Sequence, residues 1–248
     1  FANPIIFLFL GGFALAAGLR KQGLDRFIAK QVVRLAGGNL LRACLMLFAL
    51  AAFLSMWISN TATSAMMLPL ALGILSQFDY DEHRRLYLFV LLGIAYSANV
   101  GGIGTLVGSP PNAIAAAAIG LDFAGWLKVG LPMVAVLLPL IVMALLLILR
   151  PNLNMHFEDQ QQTEFEMTSE RWRVLVIFAV TVLMWLCSRP LSELLGINKG
   201  MDSITAVIAI VLLCTSRVVQ WKDIENSTEW GVLLLFGGGI TLSALLTT

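Results

Sequence analysis

Two polar stretches interrupt an otherwise apolar chain, and they are where chemistry could occur. The first reads WISNTATSAMMLPL over residues 57–70. Its Ser59, Asn60 and Thr61 are types that cap helix N-termini, and an apolar arm begins just after them. The second reads NVGGIGTLVGSPPNAI over residues 99–114. Here Ser109 suits an N-cap, and Pro110 suits the first helical position, where its missing N–H would be unpaired anyway. Gly101, Gly102, Gly104 and Gly108 let backbone approach closely. Two helix N-termini opening inside a membrane would each offer unpaired N–H groups and a partial positive charge. Such ends attract anions without lysine or arginine. The hydroxyls, amides and unwound carbonyls nearby are hard oxygen ligands suited to a small cation such as sodium. Cations at unwound carbonyls beside anions at half-helix N-termini form the layout of a coupled transporter.

The chain around these stretches has 248 residues, 58% hydrophobic and 12% charged, against about 25% charged in a soluble domain. Several apolar runs reach the length of membrane spans. The expected class is an all-α polytopic membrane protein in a plasma membrane, such as the bacterial inner membrane. The net charge of +1 says nothing about nucleic acid, and with no basic cluster resembling a nucleic-acid patch no such partner is expected. Cys44, Cys187 and Cys214 lack metal-ligand spacing and read as small apolar fillers. The chain begins at Phe1 and stops at Thr248 inside apolar runs. The natural protein is therefore expected to continue in both directions.

The elements follow from hydropathy. Residues 1–19 form a first span. Residues 20–38 form an amphipathic interfacial arm, with Leu24, Phe27, Ile28, Gln31, Val32 and Leu35 on one face and Arg26, Lys30 and Arg34 on the other. Residues 39–120 hold the two polar stretches. Arms at 42–58 and 62–77 are each about 24–26 Å long against a hydrocarbon core of about 30 Å. They read as a re-entrant hairpin over 42–77, with two tilted full spans as the alternative. Residues 86–120 read as one discontinuous span. Residues 121–149 form a clean span, 150–171 a polar cytoplasmic loop, 172–229 two further spans, and 230–248 the start of another.

Charge supports this threading. With a hairpin that does not cross, 13 of the 16 lysines and arginines fall on one side, with Lys128, Arg189 and Lys199 on the other. Positive residues favour the cytoplasm. Counting the hairpin as a crossing erases the asymmetry. There is also an internal echo: LFLGGFALAAGL at 8–19 is similar to LLFGGGITLSALL at 234–246, at an offset of 226. An odd number of spans separates the copies, the arithmetic of an inverted repeat.

Other readings of the same residues stay open. Ser, Thr and Asn in membrane helices often bond neighbouring helices, and Gly101–Gly104 could be a tight helix contact. Gly102-x-Gly104 does not complete a dinucleotide fingerprint. A glycine-rich intramembrane loop could line a channel filter. Asn99 could be a helix C-cap with no ligand role. His83, in a short charged loop after the hairpin, and His156 read as solvated. An intramembrane enzyme would need an acid, base or nucleophile constellation at depth. No span carries Asp, Glu, Lys or Arg near its middle. A charge there would cost about 2.5–3.5 kcal/mol and would mark a proton relay.

SNTATSAMMLPL followed by GGIGTLVGSPPN resembles the divalent anion/sodium symporter family, which includes dicarboxylate and tricarboxylate carriers, over essentially the whole chain. The resemblance implies an inverted-repeat, elevator-type transporter. It implies a homodimer with a scaffold (1–19, 172–229) and a moving transport part (within 39–120), joined by the arm helix. It implies sodium-coupled symport of a dicarboxylate of the succinate, malate or fumarate class, and not an enzyme. Sodium-independent exchange and sulfate symport are the alternatives, and an ion channel is a distant one. Carried over by motif, Ser55, Ser59, Asn60 and Gly108 would ligate one sodium ion. Asn60, Thr61 and Ser109 would contact the substrate, with Pro110 positioning the helix end. The second Ser-Asn-Thr of the family would fall near position 286 by the 226 offset, beyond Thr248. Residues 1–248 alone are therefore expected not to transport.

Overall fold

A computed structural model describes residues 4–157, 166–197, 200–235 and 237–238. Among these residues the regular elements are all α-helices, and a lone antiparallel bridge joins Asn39 to His156. The helices are α1 (Pro4–Lys21), α2 (Leu24–Leu35), α3 (Leu40–Ser55), α4 (Asn60–Leu75), α5 (Tyr80–Gly101) and α6 (Pro110–Ile119). Then come α7 (Phe123–Leu149), α8 (Ser169–Leu186), α9 (Ser188–Leu195), α10 (Met201–Thr215) and α11 (Trp221–Ser227). The chain is helical again from Trp230 to Leu235. The echo of the first span at 234–246 lies mostly outside the described residues, as do Glu158, Asp159 and Glu164 of the polar loop.

Local chemistry sets many of the boundaries. Arg20 and Lys21 close α1, where positive charge suits the C-terminal end of the macrodipole. Gly37 and Gly38 take φ values of +60° and +78°, a turn that side chains would strain. Asn39 then caps α3 by accepting a hydrogen bond from the Arg42 N–H. Asp79 caps α5 by accepting from the N–H groups of Asp81 and Glu82. Thr168 caps α8 in the same way.

Two helices, α1 and α7, are each long and apolar enough to cross a membrane, and α8 with α9 passes as a pair bent by 75°. The apolar helices α3, α4 and α10 are shorter. At 16 residues each, α3 and α4 reach about 24 Å, too short to span alone. Only 17% of the apolar window of α7 is buried, against 61% for α1. Most of α7 is thus turned outward, where lipid rather than protein can receive it.

The described residues fall into two compact units. One draws on residues 1–24, 105–129 and 167–248, the other on 25–104 and 130–166. In the first, α1 lies so close to α10 that a Cβ on Gly11 would sit 2.5 Å from Ala206 Cβ. A Phe9, Phe13, Ala113 and Leu233 cluster fills another part of it. In the second, the hairpin α3–α4 packs on α5 around Phe48 and Phe89, whose rings meet edge to face at 5.3 Å. The segment after α7 returns over the start of α3: the Phe157 N–H donates to Gly38 O, and the Leu40 N–H to Met155 O.

One expectation needs correction. Residues 80–85 are not a loop but the first turns of α5, with non-helical angles only at His83. The cap from Asp79 starts the helix early, and its charged side chains stay exposed. The helix that carries the span from 172 ends at Leu186 with Cys187 as its C-cap. The chain bends there by 75° into α9. Residues 221–227 form α11, started by a Gln220–Asp223 capping box. On α2, Leu24, Asp25, Ala29 and Val33 are buried, while Leu35 is 73% exposed. Ile28 is partly buried against the core of the second unit.

Candidate functional site

The hairpin tip belongs to the second unit. After α3 the chain turns tightly, with the N–H groups of Trp57 and Ile58 both donating to Leu54 O. Ser59 is the N-cap of α4, but its side chain makes no capping hydrogen bond. Its carbonyl takes the Thr63 N–H at 2.9 Å. The capping expectation thus holds for position and fails for the hydroxyl. Ser55, the last residue of α3, is fully buried. Its hydroxyl donates to Asn60 Oδ1 at 2.6 Å. Asn60 Nδ2 donates to Asn99 Oδ1 at 3.2 Å, and Asn99 Nδ2 donates to Ala95 O at 2.9 Å. A directed chain of hydrogen bonds therefore crosses from α3 through the tip to α5.

Two glycines make room for it. A Cβ on Gly102 would lie 2.5 Å from Asn60 Oδ1, and one on Gly101 would lie 2.1 Å from Ala52 O. The glycine-rich start of the break is thus a seat for the hairpin, within one unit. Thr61 is exposed on the tip. The buried hydroxyls of Thr63 and Ser97 have no hydrogen-bond partner among the described residues. They are further oxygen atoms on the helices that carry Asn60 and Asn99.

Gly108, Ser109 and Pro110 belong to the first unit and are held by residues the sequence reading passed over. The Gly108 N–H donates to Thr105 Oγ1 at 3.1 Å, and Asn112 Nδ2 donates to Thr105 O at 2.7 Å. The group Gly108 can offer a cation is its carbonyl oxygen. Ser109 is extended (φ −151°, ψ 135°), and Pro110 opens α6 as expected, but the Ser109 side chain makes no capping hydrogen bond. Pro111 follows, so the first two helical positions both lack an N–H. The anion attraction of this end rests on the helix dipole and the Ser109 hydroxyl more than on a fan of amides. The break also approaches α1: a Cβ on Gly12 would meet Val107 Cγ1.

A third polar group, unforeseen from sequence, lines a cavity of about 490 Å³ in the first unit. Arg189 Nε donates to Asp122 Oδ2 at 2.5 Å, and its Nη2 to Oδ1 at 3.2 Å. Asp122 also takes the Gly125 N–H, and Asp202 Oδ2 takes the Phe123 N–H. Burial pushes the Asp122 carboxyl up, but Arg189 and the Gly125 N–H outweigh it and hold the group below its usual value. The partners lie 67 residues apart in the chain, so no local pattern announces the pair.

The chain matches the citrate transporter family over residues 1–248. It is 52% identical over 253 residues to an uncharacterized transporter of Haemophilus influenzae, covering 99% of this chain and 55% of that protein. It is 41% identical to an uncharacterized transporter of Methanocaldococcus jannaschii, covering 92% of this chain and 51% of the relative. The sodium-dependent dicarboxylate transporter SdcS of Staphylococcus aureus is 29% identical over 98% of this chain and 52% of its own length. The chain thus spans about half the length of each of these relatives.

Proposed function

The chain belongs to the citrate transporter family, a multi-pass membrane transporter family, and from that premise we propose that the whole protein couples sodium entry to uptake of a dicarboxylate. Two findings support the reading. The staphylococcal relative is a sodium-dependent dicarboxylate transporter, and a neutral oxygen cluster, Ser55–Asn60–Asn99, sits at the hairpin tip. The tip carries the argument: it gathers oxygens in the second unit with no ionised side chain among them.

In this proposal sodium binds first, to oxygens of Ser55, Ser59, Asn60 and Gly108. Its charge prepares the site for a dianion, which Asn60, Thr61 and Ser109 contact while Pro110 sets the helix end. Each net positive charge carried inward through 100 mV supplies about 2.3 kcal/mol, and a tenfold sodium gradient adds about 1.4 kcal/mol per ion. Both terms favour uptake. The proposal includes a homodimer, an elevator motion of a transport part within residues 39–120 on the arm helix, and a second, inverted repeat in the full-length protein.

The test is uptake of labelled succinate by the full-length protein in proteoliposomes, with and without a sodium gradient. Sodium-driven accumulation is expected, and Asn60→Ala should abolish its sodium dependence. Counterflow without sodium would show an exchanger instead. Because the family bears citrate in its name, citrate is the second substrate to offer. Preference for citrate over succinate would move the assignment to a tricarboxylate.

A further inference from the structure

The geometry points to Asn99 as a positioning residue that decides which way round the Asn60 amide stands, and so whether an oxygen or an N–H group is offered to a cation at the hairpin tip. This rests on the sodium reading above. An asparagine amide has an oxygen acceptor at one end and two N–H donors at the other. A half-turn about its last bond swaps them with little change of shape. Only the oxygen can ligate sodium.

Asn99 removes that ambiguity. Its Nδ2 donates to Ala95 O at 2.9 Å, a carbonyl that can only accept. Its Oδ1 must therefore face away from Ala95, and there it accepts from Asn60 Nδ2 at 3.2 Å. With its nitrogen end held, Asn60 turns Oδ1 toward Ser55, whose hydroxyl meets it at 2.6 Å. Gly102 keeps its place beside this amide open, since a Cβ there would lie 2.5 Å from Asn60 Oδ1. The polarity thus originates at a backbone carbonyl of α5 and passes through two amides to the tip. Ser55 alone could not impose it, because a hydroxyl donates or accepts equally well.

The experiment measures sodium-dependent thermal stabilisation of the purified full-length protein, titrated against choline, without substrate. Asn99→Ala should raise the sodium concentration for half-maximal stabilisation about tenfold, the change expected when one hydrogen bond of ordinary worth is lost. Asn99→Asp keeps an acceptor for Asn60 Nδ2 and should return the midpoint to within about threefold of the parent, or below it. Both variants should elute as the parent does in size-exclusion chromatography without sodium. An unchanged midpoint in Asn99→Ala would overturn the role, and so would an Asn99→Asp midpoint as weak as that of Asn99→Ala, which would mark simple packing. If the parent itself shows no sodium response, the sodium reading falls and this role with it. A sodium response in the parent whose midpoint is unchanged in Asn99→Ala sinks the positioning role alone.

Discussion

At the scale of single residues, a methyl group separates two uses of neighbouring glycines. On Gly102 it would meet the Asn60 side chain, and on Gly101 it would meet the backbone of Ala52. A side-chain amide can swing aside, whereas a packed helix backbone cannot. Gly102→Ala should therefore leave the full-length protein folded, with its sodium requirement for uptake raised at least about threefold, because a tip hydrogen bond is weakened. Gly101→Ala should instead cost about 1–3 kcal/mol through overpacking, read as a lower unfolding midpoint. Measuring midpoint and sodium dependence for both variants decides this. Equal loss of stability in the two would mean that the glycines serve only helix packing.

At the scale of elements, the Asp122–Arg189 pair ties the chain entering α7 to α9, just past the bend after α8. The carboxyl is held below its ordinary value, so its contribution is present at neutral pH. It is lost as pH falls from the ordinary carboxylate value, about 3.9, through the depressed one. The arginine side chain is 62% exposed, so solvent screening keeps the effect small. Arg189→Gln should lower the unfolding midpoint slightly at pH 7. The gap from the parent should close as pH drops below about 4, and should narrow in high salt. A gap that stays constant with pH would assign Arg189 to packing rather than to charge.

At the scale of the whole molecule, the open matter is how the chain threads the bilayer. Arms of 16 residues, at about 24 Å, fall short of the hydrocarbon thickness of about 30 Å. This favours a hairpin that enters and leaves on one side, as does the excess of positive residues on the side proposed to be cytoplasmic. A cysteine placed at Arg85, before the apolar part of α5, should then react with an impermeant thiol reagent only from the cytoplasmic side. One at Lys128 should react only from outside. A native-cysteine-free background keeps Cys187 and Cys214 from confusing the readout. Labelling of position 85 from outside would make α3 and α4 carry the chain across.

The sequence by itself determined what is set over a few residues. Hydropathy alone makes this an all-helical membrane chain. Pro110 marks a helix start because a proline at the first helical position acts within one turn. The interruptions near 59 and 101–109 are legible because a serine-asparagine cluster or a run of glycines is unfavourable in lipid unless something uses it. Even so, local reasoning failed where charge masked a helix, as at residues 80–85. Only the tertiary structure decided which distant groups meet. Asn60 and Asn99 lie 39 residues apart, and Asp122 and Arg189 lie 67 apart. Helix formation draws on hydrogen bonds within four residues, whereas the direction in which an amide points depends on helices brought together from far along the chain.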